Sequence, residues 1–596
     1  MYKKISIACI LASTFSLGHS MGVLGVNLDS KPTCRCLPSQ SCWPSQKEWD
    51  SLAKSLNGNL IKPSTPLSLC KDVNSDSCKG VLDNIKNPFY MQSKPGRNES
   101  QGWFDAWHNQ ASSYAVEAKN TDDIVKAVDF ARKHNLRLVI KGAGHDYLGR
   151  SSAPDALLIW THNMRDVSYD KHFHPQKCPA NKEYSAVTVG AGTRWLEAYD
   201  VVTNKHHEYV QGGGCTTVGA AGGFPQGGGF GSWTKEYGTG AGGILQAEVV
   251  TANGRVVIAN ECQNKDLFWA IKGGGGGTYG VVSKLTLRTH KLPEYFGLIS
   301  GEITADSDAE YKILIKKFLS FYHSKLNNEN WGEQFAFRPN NKLTIAMVTQ
   351  GLTEKQALDI WKPFKEWVHK QRGLYYNTKY IDIPPTKVWN YDFWHKNYPD
   401  MVTKNTGPDA RDGEFWWSSN TGEVSAYWYT YQSWYLPESL FDSKDINKTA
   451  ETFYKVSRLA PVSIQINKGL AGASEQAIKL TKQTSMHPGV FDAGALAIMS
   501  YSSDKPQLGK PKMTPEIKKR VDNIYKAMGM IMALVPKAGT YANEADYFQK
   551  DWQKVFWGNN YNQLLKIKNK YDPSGLFYCH HCVGREYWQE GGMCKK

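Results

Sequence analysis

Beyond its first twenty residues the 596-residue chain has no apolar run long enough for a membrane-spanning helix, and nowhere do five basic residues follow one another. The second absence removes the dense basic patch that nucleic-acid recognition needs, although the net charge is +15. No internal repeat and no low-complexity tract is present, so the chain reads as ordinary globular domains. At this length two or three domains are expected.

What is present begins with Lys3 and Lys4, followed by a short apolar stretch ending near Gly18-His19-Ser20. A basic start, a short hydrophobic segment and a small residue before a cut are the pattern of a signal peptide over residues 1–20, which implies export to the periplasm or the medium. Export makes disulfides available. Cys9 falls inside that segment. Eleven of the 12 cysteines remain, an odd number, and setting Cys215 aside leaves ten that can pair. A free thiol would account for the odd count equally well.

Residues 21–105 are rich in Cys, Pro, Ser and Asn and read as a disulfide-tied extension. Then comes a strand pattern at 114–118 and a helix capped by Thr121 and running to about Asn135, with Asp122/Lys126 and Asp129/Lys133 as i,i+4 pairs. An apolar strand at 136–140 enters Lys141-Gly142-Ala143-Gly144-His145. Strands follow at 186–189, at 247–251 before an Asn253-Gly254 turn, and at 281–287. From 295 to 535 helical stretches (311–323, 354–372) mix with aromatic strands such as 426–434. Residues 536–596 form a compact aromatic segment with three cysteines.

Glycine clusters twice: at 141–152, and at Gly212-Gly213-Gly214-Cys215 through Gly219, Gly222, Gly223 and Gly227-Gly228-Gly229-Phe230-Gly231. Such loops bring backbone N–H groups close to a ligand and form nests for anions, a pyrophosphate in particular. A nicotinamide-type site is disfavoured: Tyr147 replaces the third glycine of the first loop, and Gly275-x-Gly277-x-x-Gly280 leads into a strand, not a helix.

Residues 107–294 and 538–585 resemble the vanillyl-alcohol oxidase/p-cresol methylhydroxylase flavoprotein superfamily, and within it the berberine-bridge-enzyme-like oxidases. The loop at 141–152, Gly214-Cys215-Thr-Thr-Val218-Gly219, Lys235-Glu-Tyr-Gly238, Val249-Val-Thr-Ala-Asn-Gly254, Gly277-Thr-Tyr-Gly-Val-Val282, Tyr541-x-Asn543 and Trp557-Gly-x-Asn-Tyr561 carry the likeness. The resemblance implies an α+β fold. A two-part FAD-binding domain of p-cresol-methylhydroxylase type (106–294 and 536–596) would enclose an inserted α+β substrate domain (295–535) built on an antiparallel sheet with helices.

The resemblance also implies FAD held bicovalently, His145 on the flavin 8α-methyl and Cys215 on C6. It places Lys141, Gly142, Ala143, Gly144, Gly149, Ser151, Val218, Gly219, Gly222, Gly223, Gly228, Gly229, Val249 and Asn543 at the cofactor. Val218 stands where related oxidases admit dioxygen. Two links withdraw electron density and raise the ring's potential, and positive backbone dipoles favour a thiolate at Cys215. The loop after Cys215 is one residue longer than the usual form.

The implied reaction is hydride transfer from an alcohol or carbohydrate C–H to flavin, with dioxygen reduced to hydrogen peroxide. The alternatives are a dehydrogenase with another acceptor and a secreted binding protein that merely retains flavin. Candidate bases are Tyr541, Lys468 and Glu423. Gln465, Asn467 and Tyr429 are weaker choices. Cys579-His580-His581-Cys582 lacks a second ligand pair at zinc spacing, so a disulfide is the better reading and no metal is expected. Asn98 and Asn447 lie in glycosylation sequons.

Overall fold

A computed structural model describes residues 34–503 and 509–596. The signal-like segment lies outside the described residues. Three sheets organise the chain. A four-stranded sheet runs in the order Leu60–Ile61, Tyr114–Glu117, Ala156–Trp160, Arg137–Lys141. Its last three strands are parallel. The helix Thr121–Lys133 packs Ile124, Ala127, Val128 and Ala131 against it. That helix is capped by Asn120, one residue earlier than expected, because the Asn120 side chain accepts from Asp123 N at 3.0 Å. Asp122 pairs with Lys126 as read from the sequence, but Asp129 pairs with Arg132.

A six-stranded antiparallel sheet follows, in the order Val256–Asn260, Ile244–Val250, Val281–Lys291, Tyr184–Gly190, Val167–Phe173, with Glu208–Val210 paired to the far end of the long strand. The C-terminal helix Tyr561–Tyr571 buries Leu564 and Ile567 in the core of this sheet, with Ala247, Val249 and Leu285. At its end Lys568 pairs with Asp572 at 2.6 Å and donates to the carbonyls of Thr278 and Phe577. The end of the chain thus completes the core begun by its first half, which is the two-part α+β arrangement expected.

The third sheet has nine strands, centred on Phe296–Ala305, Lys342–Gln350, Trp331–Arg338, Val462–Gln465, Ala493–Ser502 and Tyr427–Pro437. Helices Asp308–Phe321 and Glu354–His369 cover it through Phe318, Phe321, Trp361 and Phe364. Its far edge is supplied from outside the inserted segment: Gly102–Trp103 pairs in parallel with Tyr427 and Trp428. The cysteine-rich extension also shares the first sheet's core, through Trp49, Leu52 and Leu56.

Ten cysteines form five disulfides, Cys34–Cys594, Cys36–Cys42, Cys70–Cys78, Cys178–Cys262 and Cys579–Cys582. Cys215 is free. Among the described residues no helix is long and apolar enough to cross a membrane.

Candidate functional site

Where the first two sheets meet the C-terminal segment lies a cleft open to solvent. Three glycine-bearing segments form its walls. The first is the turn that leaves the strand Arg137–Lys141: Gly142, Ala143, Gly144, His145 and Ser151 line the cleft. The second holds Val218, Gly219, Gly222 and Gly223. It is pinned by Trp195 N to Val218 O at 2.9 Å and Ala220 N to Thr193 O at 2.8 Å.

The third wall, Gly276, Gly277 and Gly280, was missed in the sequence as cofactor-facing. The glycine run at 273–277 was the available signal; the stretch 277–282 carried the family likeness, but none of its residues was placed at the cofactor. Thr161, Ala191, Arg150, Glu544, Phe577, Tyr578 and Cys579 also line the cleft and carried no sequence signal.

Several expected contacts are elsewhere. Lys141 turns away from the cleft: its buried ammonium donates to the carbonyls of Pro95 and Arg97 and to the Asn98 side chain. Burial lowers it to about 7. Gly149 has φ +72° and lies against the Trp107 indole, where a Cβ would come within 2.5 Å of the ring. Gly228 and Gly229, both at positive φ, press on Met486 and Phe224. Gly229 contributes indirectly, since its N–H donates to the Tyr541 hydroxyl at 3.1 Å. Val249 is fully buried in the antiparallel sheet, where strand alternation points it into the core. Asn98 is buried, with its amide donating to Asn109, so only Asn447 remains an exposed sequon.

His145 and Cys215 come from loops 70 residues apart in sequence and meet at one hydroxyl. His145 Nε2 shares a 2.9 Å hydrogen bond with Thr217 Oγ1 and lies 3.4 Å from Glu99 Oε2. Burial lowers the imidazole to about 4, so it is neutral and its lone pair is available. Cys215 Sγ lies 4.0 Å from the same Thr217 Oγ1 and accepts a hydrogen bond from Asn420 Nδ2 at 3.0 Å.

The expected thiolate is not what the surroundings favour. Burial, then the charges of Glu99 and Glu423, push the Cys215 thiol up to about 12. Backbone dipoles do not offset two carboxylates in a desolvated site.

The three candidate bases separate. Tyr541 lines the cleft, and its hydroxyl accepts from Gly229 N and from Asn543 Nδ2 at 2.9 Å. Asn543 also donates to Gly223 O at 2.9 Å, so the pair ties the C-terminal segment to the second loop. Lys468 is locked on Glu544 at 2.7 and 2.5 Å, which removes it as a free base. Glu423 is half-buried and does not itself line the cleft, but Tyr147, which does, donates to it at 2.9 Å. Burial raises the Glu423 carboxyl above its usual range. Cys579 and Cys582 are joined to each other, and His580 stacks on Tyr547 with ring centres 3.7 Å apart.

Against known proteins, residues 112–260 match the family model described as an FAD binding domain, and residues 540–584 match the one described as berberine and berberine like. An uncharacterised FAD-linked oxidoreductase of Arthroderma benhamiae is 32% identical, over 95% of this chain and 96% of that protein. The chain belongs to the berberine-bridge-enzyme-like branch of the vanillyl-alcohol oxidase superfamily. A crystal structure of a VAO-type flavoprotein from Myceliophthora thermophila superposes with TM-score 0.77 at 28% identity, covering 95% of this chain and all of that one. The glucooligosaccharide oxidase of Acremonium strictum, 18% identical, shares the fold with TM-score 0.63 over 87% of this chain and 98% of its own; its flavin is described as 6-S-cysteinyl, 8α-N1-histidyl FAD.

This member of the superfamily is thus an FAD-linked oxidoreductase. Its cleft fits the dinucleotide. A Cβ built on Gly223 meets no atom within 4 Å, and one on Gly222 meets only Gly219 O at 3.8 Å, so the second loop presents bare backbone to the cofactor. Gly142, Gly144 and Gly277 also line the cleft, but a Cβ on them would meet Ala191 O at 3.1 Å, Lys141 Cδ at 3.3 Å and Ile140 Cδ1 at 3.5 Å.

Proposed function

We propose that this flavoprotein is an exported oxidase that takes hydride from the CH–OH carbon of an alcohol or carbohydrate and passes two electrons to dioxygen, with FAD attached through both His145 and Cys215. The observation that carries this reading is the convergence of His145 and Cys215 on the Thr217 hydroxyl, with Cys215 the one unpaired thiol among the described residues. A doubly linked flavin, of the kind named for the Acremonium oxidase, would need two such residues side by side. Bound FAD supplies the hydride acceptor.

The protein supplies the rest. Tyr147 stands in the cleft wall, braced by Tyr431 with ring centres 5.0 Å apart, and its hydroxyl points to Glu423. A substrate hydroxyl proton passes to the Tyr147 oxygen as the Tyr147 proton moves to Glu423. Burial prepares Glu423 to take it. Val218 in the opposite wall leaves an apolar approach for dioxygen. Five disulfides support an oxidising compartment, in line with the signal-like start of the chain.

The test is acid precipitation of the purified protein. Wild type is expected to give a yellow pellet. The His145→Ala and Cys215→Ala variants should each keep one link, and the double variant should give a white pellet. A coupled peroxide assay over sugars, oligosaccharides and phenolic alcohols then reports acceptor and substrate. Extractable flavin in wild type defeats the attachment, and rapid turnover with an artificial acceptor but not with air defeats the oxidase.

A further inference from the structure

Glu99 lies in a segment read from sequence only as part of a cysteine-rich extension. Its backbone is stitched from both sides. Its N–H donates to Gly144 O at 3.2 Å, and its carbonyl accepts from Ser425 N at 2.7 Å. The next strand contact, Gln101 N to Ala426 O at 2.8 Å, continues the seam. The carboxylate is carried between the first glycine loop and the nine-stranded sheet, 3% exposed, with Oε2 finding no hydrogen-bond partner among the described residues. A buried carboxylate in that condition is costly unless the site uses it.

Two groups surround it. His145 Nε2 is 3.4 Å away. Among the charges acting on the Cys215 thiol, that of Glu99 is the largest. A continuous line of groups runs from Cys215 Sγ to Thr217 Oγ1 (4.0 Å), to His145 Nε2 (2.9 Å), to Glu99 Oε2 (3.4 Å). The neighbouring carboxylate, Glu423, is occupied by Tyr147. Cys215 is held as a thiol, and a thiol must lose its proton before sulfur can bond to carbon. Burial raises Glu99 to about 8, into the range of a proton acceptor that works near neutrality.

We propose that Glu99 prepares the site for covalent attachment of its own cofactor, orienting His145 through Nε2 and accepting the proton of Cys215. This rests on the doubly linked reading above. In the cysteine step the thiol proton reaches the Glu99 carboxylate and sulfur bonds to flavin C6. The C6 hydrogen leaves as a proton, and the displaced electron pair, held on the ring, is removed by dioxygen as hydrogen peroxide. In the histidine step an 8α C–H proton and the imidazole N–H proton are lost, the imidazole nitrogen bonds to that carbon, and a second dioxygen takes the electron pair with two protons as hydrogen peroxide.

Glu99 acts as a positioning residue for His145 and as a proton acceptor for Cys215, so the readout is attachment and not turnover. Full-length protein produced under flavin limitation is mixed with FAD in air, quenched at intervals and digested. The flavin-bearing peptides of His145 and Cys215 are then quantified by mass. In Glu99→Gln the Cys215 link should form at least about tenfold more slowly than in wild type while FAD still binds, and Glu99→Asp should recover part of the rate. Wild-type rates at both residues in Glu99→Gln overturn the role of Glu99 while leaving the linkage standing. Flavin that never becomes attached in wild type overturns the linkage, and the proposal with it. If Glu99→Gln does not fold, the comparison moves to Glu99→Asp, where an unchanged rate at Cys215 overturns the proposal.

Discussion

Two glycines six residues apart in the second loop should fail in opposite ways when given a side chain. Gly223 opens the short helical turn Gly223–Gln226, and a Cβ there meets no atom within 4 Å, because it points into the cleft. Gly229 has φ +73°, and a Cβ there would lie 2.6 Å from the Phe224 ring. For Gly229→Ala, the left-handed backbone costs roughly 1–2 kcal/mol and the overpacking roughly 1–3 kcal/mol. For Gly223→Leu the fold has nothing to clash with, and the change in stability should stay within about 0.5 kcal/mol. Its side chain instead occupies cofactor space. A clash of roughly 1–3 kcal/mol weakens FAD binding by about 5- to 140-fold.

The measurement uses the His145→Ala/Cys215→Ala background, in which flavin is expected to exchange freely. FAD titration gives affinity, and urea unfolding of the flavin-free protein gives stability. Gly223→Leu should lose affinity and keep its urea midpoint, whereas Gly229→Ala should lose several kcal/mol of stability. An unchanged Kd in Gly223→Leu would refute the assignment of this wall to the cofactor. An unchanged midpoint in Gly229→Ala would refute the packing argument.

Tyr147→Phe keeps the stack on Tyr431 and removes only the hydroxyl that reaches Glu423, so kcat should fall by about 10²- to 10⁴-fold with flavin content unchanged; full activity would remove Tyr147 from the proton path. Burial lowers His487 and His580 to about 4, below the usual 6.5. Their folded pKa is depressed, so the unfolded chain binds protons first. The stability they contribute is present above about pH 6.5 and is lost as pH falls toward 4, a few kcal/mol in all. Urea midpoints measured from pH 7 to 4 should drop, and a flat profile would contradict it. Cys34–Cys594 closes a separation of 560 residues. Replacing both by serine should cost about 2–5 kcal/mol, read as a lower urea midpoint with the other four disulfides intact.

The sequence carried the parts of the site that are local in the chain. His145 and Cys215 each sit in their own glycine loop, and the odd cysteine left after pairing is the one the structure leaves free. The α+β class followed from the resemblance; the strands read at 186–189 and 281–287 fall inside observed ones, and that at 247–251 overruns Ile244–Val250 by one residue. Glycine is legible because close approach and positive φ demand it whatever surrounds the loop.

Side-chain direction was not legible. Lys141 and Val249 lie in motifs that carry the family likeness, yet strand geometry turns one toward the carbonyls of Pro95 and Arg97 and the other into the core. The state of Cys215 was not legible either. A glycine loop alone favours a thiolate, but burial, and after it Glu99 and Glu423, 116 and 208 residues away in the chain, reverse that preference. Only the tertiary structure brings those carboxylates to the thiol, and it also sets Tyr147 on Glu423, Lys468 on Glu544 and the third glycine wall across from the first two. The sequence by itself singled out the residues proposed to hold the cofactor. Folding decided which charges surround them, because burial and distance, not residue type, set how readily a proton leaves.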